Sequence, residues 1–164
     1  MKTLKRRKRE RKTDYLVRLK LLKSERPRVV FRKTNKSVIV QYVKSDEAKD
    51  KIIFGITSKA LLKYGWPENL SGSLKSIPAT YLTGYLTGKK IAKEKLETPI
   101  VDFGMQRVIK KSKLFAFLKG MIDSGIKINS PEENFPEEER ISGKKAKEDI
   151  SKVFAEVKSK IDKL

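Results

Sequence analysis

The strand pattern of the chain is clearest in residues 28–44, which read RVVFRKTNKSVIVQYVK. Two runs rich in β-branched and aromatic residues, 28–34 and 37–44, lie on either side of Asn35-Lys36, a pair that suits a tight turn. A third run of the same kind covers residues 51–57. These runs predict an antiparallel meander of three strands, which begins a sheet.

The second and third runs are apolar at consecutive positions, in Val38-Ile39-Val40 and Ile52-Ile53-Phe54. A strand that faces water on one side alternates polar and apolar residues, whereas a strand covered on both sides does not. We therefore expect helices on both faces of the sheet.

Outside the meander, helix-like periodicity alternates with shorter strand-like runs. Thr13 and Ser76 are expected to cap two of the helices. The predicted helices cover residues 14–23, 58–64, 76–96, 113–124 and a last segment from about 146. Further strands are predicted at 100–103 and 126–128. This order predicts an α/β fold with three α/β/α layers around a mixed sheet, in which one or two parallel strands join the meander.

Composition divides the chain into three regions. Residues 1–13 are expected to form a basic arm, 14–130 an α/β core, and 131–164 an acidic loop and a C-terminal helix. Because residues 1–12 have no apolar stripe, we expect them to be disordered without a partner. The last helix is expected to pack against protein through apolar residues at spacings of four and three. These residues are Ile150, Phe154, Val157, Ile161 and Leu164.

Positive charge dominates the chain and collects at its start. Among 164 residues, 40 are Lys or Arg and 20 are Asp or Glu, which gives a net charge of +20. The first 33 residues hold fifteen cations and three carboxylates, and so carry over half of the excess. Such a concentration indicates a polyanionic partner, because it releases condensed counterions when it meets phosphates.

Two residue types are missing altogether, cysteine and histidine. Without cysteine the chain has no disulfide, thiolate nucleophile or cysteine zinc site. Without histidine it lacks the commonest general base and metal ligand. No window approaches the ~18 consecutive apolar residues of a membrane-spanning helix. We predict no enzymatic activity, no cofactor and no metal.

Asp102-Phe103-Gly104 matches the magnesium-binding triplet of protein kinases. The other kinase motifs are missing, and the chain is much shorter than a kinase domain. We interpret the triplet as a strand end, where the glycine turns the chain and Asp102 accepts hydrogen bonds from nearby amides.

Gly84 to Lys90 resembles a phosphate-binding loop only faintly, because three residues instead of four separate its glycines. Gly84 and Gly88 lie one helical turn apart, among small side chains. We expect this face to let the helix approach the sheet closely.

Carboxylates alone could indicate a metal-dependent nuclease. The candidates are Asp102, Asp123 and the run 132–139. The first strand carries no acid, and the glutamates of the run cluster in one loop. We expect this acidic loop to face solvent or a basic protein surface.

Near the arm and the first hairpin, aromatic and amide side chains accompany the cations. Tyr15, Arg32 and Asn35 supply the planar and amide groups that contact exposed RNA bases. No amphipathic helix joins the arm to a lipid-facing stripe, so the combination favours RNA over a membrane.

Ten short motifs resemble, in order, the archaeal and eukaryotic branch of the large-subunit ribosomal protein L-eighteen family, whose members bind 5S ribosomal RNA. They are spread over most of the chain, from about residue 6 to residue 143. They include residues 11–15, 18–24, 27–30, 32–36, 81–84, 102–104, 115–120, and Phe135-Pro136 with Glu139-Arg140.

This resemblance implies a structural protein of the cytoplasmic ribosome, docked on 5S RNA at the central protuberance. Its implied partners are 5S rRNA, large-subunit rRNA and neighbouring large-subunit ribosomal proteins, with no membrane or small-molecule substrate. The residues it places at or near RNA are Arg6, Arg7, Arg9, Arg11, Lys12, Tyr15, Arg18, Lys20, Arg32, Lys33, Asn35 and Lys36.

Two alternatives from other classes stay open at this point. A non-specific RNA chaperone would share the basic arm and would bind unrelated RNAs equally. A small metal-dependent nuclease is a weaker alternative, because this sheet order also occurs among ribonuclease H-like folds.

Overall fold

The computed structural model describes residues 5–10, 12–47, 49–144 and 150–164. Its sheet has four strands, β1 (Arg28–Lys33), β2 (Val38–Asp46), β3 (Lys49–Thr57) and β4 (Ile100–Asp102), in the order β3-β2-β1-β4. The first three pair antiparallel, and β4 pairs parallel with β1. The predicted α/β fold with a mixed sheet is confirmed.

The described residues also form six α-helices. They are α1 (Arg6–Arg9), α2 (Tyr15–Lys23), α3 (Ile77–Lys93), α4 (Lys113–Asp123), α5 (Glu138–Ser142) and α6 (Ser151–Asp162). Ser76 caps α3 as predicted, since its hydroxyl accepts a hydrogen bond from the Ala79 amide at 3.4 Å. Three 3-10 turns cover Ser58–Tyr64, Glu68–Ser73 and Glu132–Asn134.

The core lies on one face of the sheet. Val29 and Phe31 of β1 are fully buried there, with Leu82 of α3 and Phe117 of α4. Arg28 and Arg32 point to the opposite face because side chains alternate along a strand. On that face α2 approaches the sheet, where Arg18 pairs with Asp50 of β3 at 3.1 Å.

The expectation that β3 is covered on both faces is wrong at two side chains. Ile52 and Ile53 are 53% and 42% exposed. β3 is the edge strand, and its pairing with β2 shifts register beside Ile53. A bulge of this kind turns a side chain out of the regular alternation.

The small-residue face of α3 does allow a close approach, but its partner is helix α4 and not the sheet. A Cβ on Gly84 would lie 2.3 Å from the carbonyl oxygen of Phe117. A Cβ on Gly120 of α4 would lie 2.2 Å from the carbonyl oxygen of Tyr81. The two helices therefore pack backbone against backbone through a matched pair of glycines.

The last helix packs against protein, as predicted. Val157 and Ile161 of α6 are fully buried, whereas Leu164 is exposed. The polar edge of α6 is tied to α3, because Asp162 accepts a hydrogen bond from the Tyr85 hydroxyl and pairs with Lys89 at 2.9 Å.

The acidic loop faces basic protein side chains, also as predicted. Lys110 pairs with Glu133 at 3.2 Å, and Lys111 pairs with Glu137 at 3.5 Å. Both pairs are exposed, so their net stabilisation is small.

Several local expectations need correction. Residues 126–128 form no strand, because Ile126 is buried beside Gly88 of α3 instead of pairing with a strand. Arg6–Arg9 of the arm forms one helical turn. The Arg7 carbonyl accepts hydrogen bonds from the amides of Lys12 and Thr13, which follow this turn. Helix α3 ends three residues earlier than predicted, and residues 145–149, where the last helix was expected to start, lie outside the described residues.

The contact of Asp162 with α3 predicts a measurable acid sensitivity. The hydrogen bond from Tyr85, followed by that from Lys89, lowers the pKa of Asp162 despite partial burial. A carboxylate whose folded pKa is depressed stabilises the fold above its unfolded pKa of about 4, and this contribution is lost as the pH falls through the folded pKa. Asp162→Asn should therefore show a smaller loss of unfolding free energy than the wild type between about pH 5 and pH 2.

Urea unfolding across that pH range measures the effect. Glu68→Gln is the matched control, since Glu68 is exposed and forms no ion pair within the described residues. An equal pH dependence in the Asp162→Asn variant and the wild type would contradict the assigned role of Asp162.

Candidate nucleic-acid interface

A narrow groove lies where the arm meets α2 and β1. We call it the arm groove; its volume is about 140 Å³. It is lined by five cations and two carboxylates, the latter being Asp14 and Asp102. The cations are Arg7, Lys12, Arg18, Arg28 and Arg32.

The start of α2 fixes one wall of the arm groove. Asp14, and not Thr13 as predicted, caps the helix, because its carboxylate accepts hydrogen bonds from the amides of Leu16 and Val17 at 2.9 and 3.2 Å. Thr13 instead accepts a hydrogen bond from Arg7 Nε at 2.8 Å. This bond ties the helical turn of the arm to the residue that precedes the cap of α2.

Arg28 forms the buried floor of the groove. The residue is only 2% exposed, and its guanidinium donates to Asp50 at 2.8 Å and to Ser45 at 2.9 Å. Burial would raise the pKa of Asp50, but hydrogen bonds from Ser45 and Arg18 and the charges of Arg28 and Arg18 outweigh it, so the pKa is lowered. Asp50 therefore stays ionised and holds arginines from both α2 and β1.

Arg32 is held by the Asp102-Phe103-Gly104 turn. It donates to the carbonyl oxygens of Phe31 at 2.8 Å and Asp102 at 3.0 Å, and pairs with the Asp102 carboxylate at 3.3 Å. Asp102 also accepts from the Gly104 amide at 2.6 Å, and Gly104 has a φ of 62°. The triplet is thus a strand-end turn, as interpreted from the sequence, and it fixes an arginine that is still partly exposed.

Other predicted cations lie on the outer surface of the arm and α2. Arg6, Arg9 and Lys20 are exposed. The ring of Tyr15 lies under Lys5, whose ammonium is 4.7 Å from the ring centre. Lys12 pairs with Glu10 at 2.9 Å, and Arg11 lies outside the described residues.

The first hairpin presents Asn35 and Lys36 at its tip. Both are exposed, and the turn below them is held by Thr34 and Ser37. The Thr34 amide donates to the Ser37 carbonyl at 2.8 Å, and the Ser37 amide donates to the Thr34 hydroxyl at 3.0 Å. The tip is therefore a fixed projection, as a reader of RNA shape requires.

The predicted residues are divided between the two faces of the sheet. Arg7, Lys12, Arg18 and Arg32 meet in the arm groove. Lys33 points to the core face and lines a second groove at the other side of β1. The hairpin tip follows Arg32 and Lys33 in the chain.

Apart from Lys33, the cations of the second groove were not predicted from the sequence. They include Arg107, Lys111 and Lys113, which follow β4 in the chain. The signal was present, since four of the seven residues 107–113 are Lys or Arg. It was overlooked because the charge density of the arm is much higher.

In the described ranges, no group of three or more acidic side chains could hold a metal ion. The side chain of Asp102 forms ion pairs with Arg28 and Arg32. None of the helices in the described part is both long and apolar enough to span a membrane.

The chain is similar to proteins of the large ribosomal subunit. A family model described as "Ribosomal large subunit proteins 60S L5, and 50S L18" matches residues 1–98. The large ribosomal subunit protein uL18 of Korarchaeum cryptofilum is 46% identical over 138 residues, which are 84% of this chain and 69% of the relative. The protein of the same name from Thermofilum pendens is 40% identical over 137 residues, which are 84% and 68% of the two chains.

Proposed function

Since the chain belongs to the family of ribosomal large-subunit proteins 60S L5 and 50S L18, we propose that it binds 5S ribosomal RNA and helps to attach that RNA to the large-subunit rRNA at the central protuberance. The coarser role follows from the family itself. The protein is a structural, non-enzymatic constituent of the large ribosomal subunit in the cytoplasm.

The observation that carries the proposal is the arm groove, where cations from three separate elements converge. Arg18 and Arg32 are held by Asp50 and Asp102, so their orientation is set before RNA arrives. Preset donors lose less conformational entropy on binding than free side chains do. The groove thus supplies a shaped contact, which can favour one folded RNA over another.

The exposed cations of the arm have a different role. They are not fixed by buried partners, and they neutralise phosphates without reading sequence. We assign affinity mainly to the arm, and preference for 5S RNA to the arm groove and the hairpin tip.

Competition binding tests the proposal. The full chain should bind 5S RNA more tightly than an unrelated structured RNA of equal length at moderate salt. Its affinity should also fall steeply with salt, with a log–log slope of about −7 to −9 if ten phosphates are contacted. Equal affinity for the two RNAs would instead identify a non-specific RNA-binding protein.

A further inference from the structure

The second groove, which we call the loop groove, is an unassigned cationic site. It encloses about 460 Å³ between β1, the starts of α3 and α4, and the loop after β4. Among the residues that the structure describes, five cations and no carboxylate line it. These cations are Lys33, Arg107, Lys111, Lys113 and Arg140.

The loop that forms its outer wall is anchored at two points. The Gln106 side chain donates to the Phe31 carbonyl of β1 at 3.1 Å. The Lys111 amide donates to the Asn134 carbonyl at 2.8 Å. The cations between these anchors are therefore presented on a fixed backbone.

The positive charge in this groove is incompletely balanced. Lys111 pairs with Glu137 at 3.5 Å outside the lining, but Lys113 forms no ion pair in the part of the chain described. Burial, and then the nearby charges of Lys33 and Lys75, lower the pKa of Lys113. An anion bound here would relieve repulsion that the protein itself leaves in place.

The start of α4 adds a second feature. Ser112 occupies its N-cap, yet its side chain makes no capping hydrogen bond. Its hydroxyl oxygen is buried and has no hydrogen-bond partner among the described residues. The first-turn amides of this 11-residue helix thus lack their usual side-chain acceptor and favour a bound anion.

We propose that the loop groove binds the phosphodiester backbone of an RNA segment other than the one in the arm groove. This inference rests on the proposed function, because it takes RNA as the partner. None of the described residues that line the groove is an aromatic on which a base could stack, so the groove suits phosphates and not bases. It also adjoins the hairpin through Lys33.

The placement of the two grooves explains why the loop groove needs a second RNA segment. Arg32 and Lys33 are adjacent in β1, so their side chains leave opposite faces of the sheet. One groove lies on each face, and the hairpin tip follows both residues in the chain. Two RNA segments on the two faces would hold the protein between them, as a connector of two RNA elements requires.

Charge removal tests the inference in the full chain. The variant Arg107→Gln, Lys111→Gln, Lys113→Gln should weaken RNA binding by about ten-fold or more and make the salt slope shallower by about 2 to 3. The matched control Lys127→Gln, Lys152→Gln, Lys163→Gln removes the same charge from exposed positions outside both grooves. It should stay within about two-fold of the wild type.

Two binding experiments distinguish the source of the phosphates, one with 5S RNA alone and one with 5S RNA and a large-subunit rRNA transcript. A loss of affinity in the first experiment assigns the groove to 5S RNA, and a loss of affinity only in the second assigns it to large-subunit rRNA. Binding equal to that of the control in both experiments would overturn the inference and leave an acidic protein segment as the ligand. Equal affinity of the wild type for 5S RNA and for an unrelated RNA would instead refute the proposed function. Unchanged circular dichroism verifies that the variants fold.

Discussion

Removal of residues 1–12 is expected to weaken binding to 5S RNA by about a hundred-fold or more at physiological salt, while the fold stays intact. The segment carries eight cations and one carboxylate. Each cation that contacts a phosphate contributes about 0.7 to 0.9 to the salt slope, so the slope should fall by several units. The described residues of this segment, 5–10 and 12, are all exposed, and we therefore expect the core to keep its packing.

The preference for 5S RNA over an unrelated RNA should largely survive this deletion, because Arg18, Arg28 and Arg32 of the arm groove and the hairpin tip remain. The double variant Asn35→Ala, Lys36→Ala should reduce this preference and change the overall affinity little. It removes the side chains of the hairpin tip but only one charge. A variant with residues 5–12 in shuffled order controls for charge alone and should bind almost as tightly as the wild type. If the deletion abolished the preference and the hairpin variant kept it, our division of roles would be reversed.

Gly84→Ala is expected to lower the free energy of unfolding by about 3 kcal/mol or more. The added Cβ would meet the Phe117 carbonyl oxygen at 2.3 Å, and neither partner is a flexible side chain. Helices α3 and α4 must separate to admit it, which loosens the core around Leu82 and Phe117. The gain of about 1 kcal/mol in helix propensity from Gly to Ala is too small to offset this loss.

Gly72→Ala is the matched control, because a Cβ there would meet no atom within 4 Å. Its unfolding free energy should stay within about 0.5 kcal/mol of the wild type in urea denaturation. Similar stabilities of the two variants would show that α3 and α4 are not in backbone contact.

Most local structure could be predicted from the sequence. The three strands of the meander, the turn at Asn35-Lys36, the cap at Ser76 and the strand-end turn at Gly104 were predicted close to their observed positions. Each depends on residues a few positions apart, through strand alternation, turn preference or capping. The short motifs and the basic arm likewise sufficed to indicate the family.

Contacts between distant residues were not predictable in the same way. Small residues at 84 and 88 indicated a close approach, but only the fold shows that α4 supplies the matching Gly120. The edge position of β3, which exposes Ile52 and Ile53, depends on where β4 joins the sheet.

The sequence by itself determined that the protein is a basic α/β protein with a cationic arm, because charge density and periodicity are properties of neighbouring residues. The tertiary structure decided which cations act together. Asp50 joins Arg18 to Arg28, and the loop groove unites Lys33 with Arg107 and Arg140, across gaps of tens of residues. The physical reason is that strand pairing and helix docking set these distances, and both result from the burial of apolar side chains over the whole chain.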